Sequence, residues 1–537
     1  MRPLLQIYIL LCLAIILNSC GQTVSSGKAV FQYNEPTGIA SLDPAFAKNQ
    51  SVIWAVHQLY NTLVETDSNL NIVPLIASSW DISEDRTAYT FHLRTDVYFH
   101  DNDAFPNGKG RKLTAHDVVY SFSRITDKSV ASPGAWIFNN RVDSVHPFIA
   151  LNDSTFQLTL QRPFSPILGV LSNVYCSIVP REVVQKYGKD FRSHPCGTGP
   201  FQFKFWDEGQ ALVFWKNPHY FEKDGKGNPL PYLDAIKVSF YDSRATEFLQ
   251  FQQGNIDFIN DLDPSFKDEV LTKTGQLKKQ WVGKIDLQKH AYLNTEYLGI
   301  LMKPDPTQSN PLLNKLVRKA INLGFDREKL ILYLRNSIGK AANSGFIPAG
   351  LPSYNDTLVQ GYHYDPIKAR QFLEESGYVK TKPPIKLLTI PIYADLAGYI
   401  ARQLEDIGLN ISVEVIPKSL LLEQTAQSKA PFFRASWIAD YPDAENYLSV
   451  FYSKNPAPPN YTRFNNAAFD ALYELAMNTP NDSARFELYR KMDRIIVEEA
   501  PLVPLWYDEV IHLVSPSVKG FPANALNWLE LRHAKKN

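Results

Sequence analysis

Apolar side chains recur along the chain with two spacings, one typical of strands and the other of helices. Tyr89, Phe91 and Leu93 alternate with polar neighbours, which predicts a half-buried strand. Over residues 51–64 the apolar positions are instead spaced as on one face of a helix. The two spacings mix throughout the chain and we find no internal repeat, so the sequence predicts a fold of the α/β or α+β class.

The second half of the chain contains successive helix–strand units. Asp365-Pro366 places a capping residue and a proline where a helix begins, and Gly377 closes that helix. A helical stripe over 400–407 ends at Gly408, and strand spacing follows over 411–415. Because domains usually hold roughly 100–200 residues, a chain of 537 residues is expected to form two or three of them.

The N-terminus has the features of an export signal. Arg2 precedes an almost wholly apolar run from Leu4 to Leu17, which is shorter than the ~20 residues that a membrane-spanning helix needs. The run leads into Leu17-Asn18-Ser19-Cys20, which resembles a bacterial lipobox. We therefore predict a signal peptide over 1–19, a lipid on Cys20 and a tether over 20–29. The alternative is ordinary secretion, with Cys20 as a plain thiol.

Charge and cysteine content narrow the function classes. Lys+Arg and Asp+Glu are both 55, and no run of like charge gives an electrostatic case for nucleic-acid binding. Once residues 1–19 are removed and Cys20 is acylated, Cys176 and Cys196 remain as a possible disulfide in an oxidising compartment. His194 precedes Cys196, but no second Cys/His pair has metal-ligand spacing, so no metal site is predicted.

No sequence motif points to catalysis. Gly197-Thr198-Gly199-Pro200 lacks the Lys-Ser/Thr pair of a phosphate-binding loop, and Pro200 removes a backbone donor, so we predict a turn before a strand. The Gly-x-Ser-x-Gly and His-Glu-x-x-His motifs of hydrolases do not occur. The sequence therefore favours a protein that is not an enzyme and that uses no cofactor.

A set of short segments spread along the chain is specific in combination, although each segment alone is weak. These segments are Ser41–Ala45, Ala77–Asp85, Tyr89–Arg94, Val97–Asp101, Leu113–Val118, Gly197–Phe201, Tyr232–Asp234, Val317–Asn322, Asp326-Arg327 and Trp437–Asp443. Together they closely resemble the extracellular solute-binding proteins of family 5, the peptide-, dipeptide- and nickel-binding components of ABC importers. The resemblance spans roughly residues 30–525, and one departure from it is a longer loop over Asn102–Arg111.

The resemblance implies an α/β fold of the two-lobed, hinge-closing periplasmic-binding-protein type (type II) with an added third domain. The implied domains are, with their limits in this chain, domain I over 30–60, 192–290 and 500–537, domain II over 61–191, and domain III over 291–499. Crossover strands near Tyr292–Asn294 and Leu502–Pro504 are the expected hinge, where a few residues absorb the rotation of rigid lobes.

The resemblance also implies a ligand site in one segment of domain III. In peptide-binding members, an aspartate at the position of Asp440 pairs with the free α-amine of the ligand, and an arginine at the position of Arg434 binds a carboxylate. An ammonium buried in a closed cleft needs a fixed anion, because an unpaired buried charge is costly. Trp437 and Tyr441 are the other candidates, as cleft walls or as core. The alternatives are a turn-capping Asp440 and a structural Arg434.

Two further carboxylates of the same segment, Asp443 and Glu445, are expected on the loop surface. The histidines His100, His116 and His194 are expected to have structural roles rather than ligand contacts.

We thus predict a monomeric, ligand-capturing lipoprotein in the periplasmic space or at the cell surface, anchored through Cys20. It is expected to capture short peptides and to dock on the permease subunits of an ABC transporter. Oligosaccharide, nickel chelate and haem are alternative ligands on the same framework. Nine Trp and 27 Tyr supply possible stacking surfaces for a sugar. A secreted hydrolase with a similar cleft is the alternative of another class.

Overall fold

The structure is a computed structural model that describes residues 28–303 and 310–537. The predicted signal peptide and Cys20 lie outside the described residues. The strands are β1 (Val30–Asn34), β2 (Val64–Thr66), β3 (Ile72–Pro74), β4 (Ala77–Ile82), β5 (Ala88–Leu93), β6 (Phe148–Asn152), β7 (Thr155–Thr159), β8 (Phe201–Asp207), β9 (Ala211–Lys216), β10 (Ala235–Ser239), β11 (Phe258–Asn260), β12 (Asp286–Ile300), β13 (Lys340–Ala341), β14 (Ile385–Thr389), β15 (Ile411–Val415), β16 (Phe432–Ile438), β17 (Leu502–Val514), β18 (Val518–Lys519) and β19 (Lys535–Lys536).

Helices alternate with these strands through much of the chain, as the mixed spacings predict. They are α1 (Gln50–Leu59), α2 (Ala115–Thr126), α3 (Ile167–Leu171), α4 (Arg181–Tyr187), α5 (Arg244–Gln252), α6 (Pro264–Val270), α7 (Lys315–Leu323), α8 (Arg327–Arg335), α9 (Pro366–Glu375), α10 (Tyr378–Thr381), α11 (Ala394–Asp406), α12 (Lys418–Ala426), α13 (Glu445–Leu448), α14 (Ala467–Asn478) and α15 (Asp482–Glu499).

One sheet runs through most of the molecule. Its 11 strands follow the order β15-β14-β16-β12-β17-β11-β1-β10-β9-β8, and β13 pairs with β17 beside this path. A separate sheet of four antiparallel strands, β4-β5-β7-β6, lies within residues 77–159. The two halves of the large sheet join only where β12 pairs with β17 in the described part of the chain.

The pairing of β12 with β17 is interrupted at one of the segments expected to act as hinge. The two strands pair antiparallel, but the register shifts between Ala291 and Thr295. In that interval Leu293 donates its N–H to the carbonyl of Ala525 instead, at 2.9 Å. A break in the ladder at this point gives the backbone local freedom to bend. The role of Tyr292–Asn294 as a hinge stays a prediction.

The hydrophobic cores do not divide the chain at the limits of the predicted domains. Phe31, Phe91, Phe201 and Leu531 belong to one buried cluster, so the segments assigned to domains I and II share a core. A second set of clusters lies mainly within 291–499, and its remaining buried members are Leu70 and the first residues of β17. The domain limits themselves stay a prediction.

Local sequence signals explain several element ends. Thr114 is the N-cap of α2, and its backbone N–H donates to the carboxylate of Asp117 at 2.9 Å, a capping-box contact. Asp365 caps α9 by accepting from the N–H of Lys368 at 2.9 Å. At Gly197 an added Cβ would lie 2.1 Å from the carbonyl oxygen of Leu59, so only glycine fits this turn before β8.

The possible disulfide between Cys176 and Cys196 is not formed. Both residues are free, buried thiols. The Cys196 Sγ lies 3.4 Å from the carbonyl oxygen of His100, and the Cys176 Sγ lies 3.9 Å from that of Val170. Each thiol packs as a small apolar side chain, and burial raises the pKa of both. The expectation of a pair, based only on the number of cysteines, is corrected.

Candidate ligand-binding site

Strand β16 is fully paired along one edge and almost unpaired along the other. On one side it pairs antiparallel with β12 through seven consecutive residues, Phe432–Ile438. On the other side β14 meets it only at Leu388↔Phe433, because β14 ends at Thr389 and Pro391 begins a turn. Among the described residues no strand pairs with the outer edge from Ala435 to Ile438. Such an edge can accept an additional strand.

Asp440 lies two residues beyond the end of β16, and its carboxylate has no cationic partner within residues 28–303 and 310–537. The side chain of Asn446 donates to its Oδ2 at 3.2 Å. The Asp440 backbone is held as well, because its carbonyl accepts from the Asn173 side chain at 2.9 Å. Burial raises the pKa of Asp440, while the hydrogen bond from Asn446 and the positive charge of Arg141 oppose that rise.

The surroundings of Asp440 have the character of a cleft. The residue is exposed to solvent. Protein atoms nevertheless surround its carboxylate closely enough for desolvation to be the largest influence on its pKa. A group that is accessible and yet poorly solvated lies in a concave site rather than on an open surface.

Asp443 and Glu445 are buried, so the expectation that they lie on the loop surface is wrong. Asp443 pairs with Arg485 at 3.1 Å and accepts from the Tyr489 hydroxyl at 2.7 Å. Glu445 accepts from the hydroxyl of Tyr473, and burial raises its pKa. The partners of Asp443 lie on α15, and those of Glu445 lie on α14 and, at Tyr441, in the same loop. The polar loop composition carried no information about those partners.

Arg434 is paired within the protein. Its guanidinium contacts the carboxylate of Glu296 on the neighbouring strand, and both side chains are largely buried, at 13% and 3% exposed. The guanidinium also stacks 3.6 Å from the ring centroid of Tyr393. Asn294 donates to Glu296 at 3.3 Å and to Asp508 at 3.1 Å, which extends the network across β12 and β17. Nothing in the sequence around Arg434 indicates that Glu296 is its partner, because the two residues lie 138 positions apart.

Trp437 and Tyr441 are largely enclosed. Trp437 is half-buried, and its indole N–H donates to the Oδ1 of Asn446 at 3.0 Å. Tyr441 is 2% exposed, its hydroxyl donates to Glu445, and its ring stacks on Trp136 with centroids 6.2 Å apart. These positions favour the core alternative for Tyr441. Asn446 was not among the predicted site residues, although it lies only six positions after Asp440.

His100 has the structural role expected of it. It is buried, its Nε2 lies 3.0 Å from the carbonyl oxygen of Gly199, and burial lowers its pKa to about 4.

Two searches of the described residues gave no candidate. Over residues 28–303 and 310–537, no cluster of three His, Cys, Asp or Glu side chains could hold a metal ion. A search of the same residues finds no helix with the length and apolar character that crossing a membrane requires.

Comparison with known proteins places the chain in a family. The family model described as bacterial extracellular solute-binding proteins, family 5 Middle, matches residues 71–459. Heme-binding protein A of Haemophilus influenzae is 28% identical over 546 residues, and the match covers 94% of each chain. Dipeptide-binding protein DppE of Bacillus subtilis is 25% identical, with 96% of this chain and 93% of the relative covered.

Solved structures agree with the sequence comparison. The periplasmic binding protein DppA from Helicobacter pylori, in complex with the peptide STSA, is 27% identical with a TM-score of 0.74, and the match covers 94% of this chain and 98% of that one. HbpA2 from Haemophilus parasuis has the same fold, with 24% identity, a TM-score of 0.83 and coverage of 95% and 100%. The predicted two-lobed, periplasmic-binding-protein-like α/β fold is confirmed. The chain belongs to the bacterial extracellular solute-binding proteins of family 5.

Proposed function

We propose that this protein captures short peptides for an ABC importer and binds them along the outer edge of β16. The observation that carries the proposal is an open strand edge, Ala435–Ile438, followed by a carboxylate, Asp440, that is not paired with a cation among the described residues. A peptide is the ligand whose chemistry matches both features, because it has a backbone to pair and an ammonium group at one end.

The strand edge accounts for affinity that does not depend on ligand sequence. An extended peptide placed there exchanges backbone hydrogen bonds with β16, as in other cases of strand addition. Asp440 then fixes which end of the peptide lies beyond Ile438, because its carboxylate attracts the α-amine. An ammonium in a poorly solvated cleft requires such a fixed anion.

We propose a structural role for Arg434, because its guanidinium is already paired with Glu296 and stacked on Tyr393. Recognition of the far end of the peptide therefore does not rest on this residue in our proposal. Trp437 remains a candidate wall of the cleft, since it is half-buried and lies on the strand that offers the free edge. We propose a structural role for Tyr441, because it is buried and its hydroxyl donates to Glu445.

The relatives support a peptide ligand and also keep one alternative. Dipeptide-binding protein DppE and the peptide complex of DppA speak for peptides. Heme-binding protein A speaks for haem, one of the alternatives expected from the sequence. Haem and a neutral oligosaccharide have no α-amine, so neither of them gives a role to the unpaired carboxylate of Asp440.

Native mass spectrometry of the purified protein, followed by calorimetry, tests the proposal. We expect a distribution of co-purifying peptide masses, and binding of small peptides that is abolished when the N-terminus is acetylated. A haem, sugar or chelate mass, or equal affinity for free and acetylated peptides, would refute the peptide proposal. Recovery of the added peptide at unchanged mass after incubation would separate a binding protein from a secreted hydrolase.

We further propose that the protein is a monomer held at the membrane by a lipid on Cys20 and that it docks on an ABC permease. Support comes from the apolar segment before Leu17-Asn18-Ser19-Cys20 and from the extracellular character of the family. Multiple acyl chains are needed for stable anchoring, since one chain binds only marginally. Cys20→Ser should move the protein from the membrane fraction to the soluble fraction. An unchanged distribution would contradict lipidation.

A further inference from the structure

A single amide side chain, that of Asn446, connects the parts of the candidate site. Its Nδ2 donates to the Oδ2 of Asp440 at 3.2 Å, and its Oδ1 accepts from the backbone N–H of Asp440 at 3.2 Å. The same Oδ1 accepts from the indole N–H of Trp437 at 3.0 Å. One residue therefore contacts the carboxylate of Asp440, the backbone that carries it and the aromatic side chain of Trp437 on β16.

The environment of Asn446 keeps this amide in place. The residue is 4% exposed and lies in the short helix α13, and its backbone N–H donates to the carbonyl of Asp443 at 3.1 Å. Asp443 is itself fixed by its ion pair with Arg485. Because an Asn side chain has fixed donor and acceptor ends, the Trp437 and Asp440 N–H groups orient Oδ1 and so point Nδ2 to the carboxylate.

From this geometry we infer that Asn446 is a positioning residue for ligand recognition. It holds the Oδ2 of Asp440 and leaves the Oδ1 of Asp440 free to accept a hydrogen bond from the α-amine of a peptide. The inference rests on the proposed function. The Oδ1 of Asp440 accepts no hydrogen bond from any of the described residues, so a ligand donor meets no competitor there. A carboxylate fixed before binding loses less conformational entropy when the ligand arrives.

The charged and titratable groups facing Asp440 come from both sides of the cleft. Arg141 and Tyr175 come from the segment assigned to domain II, and Tyr447 comes from α13. Glu445 and Tyr441 are close in the sequence, but each is satisfied by the other. The hydrogen bond from Asn446 lowers the pKa of Asp440, so its removal should shift protonation of this carboxylate to higher pH.

The decisive variant is Asn446→Ala in the full chain, measured with trialanine and acetylated trialanine. We expect affinity for the free peptide to fall at least tenfold. The ratio of the affinities for free and acetylated trialanine should then approach the ratio measured for Asp440→Ala. The pH at which peptide affinity is half lost on acidification should also move upward. Asn446→Ser, which replaces the amide with a shorter hydroxyl that can still donate one hydrogen bond, should show the same changes to a smaller degree and serves if the alanine variant does not fold.

Asn460→Ala is the matched control. Asn460 is also a buried amide with several hydrogen bonds in the same part of the chain, donating to the carbonyls of Phe464 at 3.0 Å and Tyr452 at 3.3 Å. It has no contact with Asp440, so its loss should lower the unfolding temperature without altering amine preference or the pH profile.

If Asn446→Ala lowers the unfolding temperature but keeps both the amine preference and the pH profile, the residue is purely structural and the inference is wrong. Failure of the proposed function would be seen separately, as a wild-type protein that binds free and acetylated trialanine equally.

Discussion

Arg434 lies near the start of β16, and Asp440 lies just beyond its end. The two residues carry opposite charges on the same short segment, but they differ in whether the protein supplies a partner of opposite charge. Arg434 faces Glu296 across the paired edge, and both side chains are largely withdrawn from water. Asp440 follows the unpaired edge and receives one hydrogen bond to its carboxylate from a neutral amide. One charge is compensated inside the protein, while the other is left with the capacity to bind a cation.

This difference shows how a site can be separated from its scaffold in a chain with many charges. Resemblance to the family assigns a ligand contact to both residues, and their spacing alone does not distinguish them. The distinguishing feature is whether a partner is already present, because a buried ion pair must be broken before either member can bind a ligand. By that criterion Asp440 is the stronger candidate.

The largest effect on stability is expected from breaking the ion pair between Arg434 and Glu296. Arg434→Met leaves Glu296 buried without its cation, which should cost about 3–5 kcal/mol of unfolding free energy. Chemical denaturation measures this loss. Calorimetry on the folded variant should show peptide affinity changed less than threefold, because the ligand does not depend on Arg434 in our proposal.

The double variant Arg434→Met with Glu296→Leu is the control for that experiment. Removing both charges should restore most of the lost stability, because no unpaired charge remains buried. A large loss of affinity confined to peptides with a free C-terminal carboxylate would reverse the comparison. Arg434 would then contact the ligand, as the resemblance implies.

A smaller effect, confined to ligand affinity, is expected at Asp440, beyond the end of β16. Asp440→Asn keeps the shape of the side chain and removes its charge, and it should weaken peptide binding by on the order of 2–5 kcal/mol. Stability should change little or rise, because Asp440 has no cationic partner among the described residues to lose. Calorimetry with free and acetylated peptides gives the affinity. Unchanged binding would return Asp440 to the role of a turn residue.

The smallest effect is a dependence of binding on pH. Burial raises the pKa of Asp440, so its carboxylate is neutralised at a higher pH than that of an ordinary aspartate. Peptide affinity should fall by up to tenfold, about 1.4 kcal/mol, for each pH unit below that pKa. It should also fall above the peptide amine pKa of about 7.7–8.0. In Asp440→Asn the acidic limb should vanish. Persistence of that limb would assign it to another group.

Features that depend on nearby residues were predictable from the sequence. The alternation at Tyr89–Leu93 forms β5, the capping pair Thr114 and Asp117 begins α2, and Asp365 begins α9. In each case the residues that determine the structure lie within a few positions of one another, so spacing and capping rules apply directly.

Features that depend on distant partners were not predictable in this way. The polar segment after Asp440 looks like an exposed loop, yet Asp443 is buried against Arg485 and Tyr489 of α15. Glu296 lies 138 positions from Arg434, and only the pairing of β12 with β16 brings them together. Asn446 is close to its partners in the sequence, but its contacts with Trp437 and Asp440 form only where the loop folds back on itself, and spacing alone does not reveal them.

The position of β17 has a consequence for the order of folding. This strand comes from Leu502–Val514, near the end of the chain, and yet it lies at the centre of the large sheet between β12 and β11. The two halves of the sheet therefore cannot join until almost the whole chain has been synthesised. Until β17 has been synthesised, β12 and β11 have no strand between them and the large sheet is incomplete. For a protein that carries an export signal, as the sequence predicts, a sheet that is completed late is compatible with transport of the chain before it has folded.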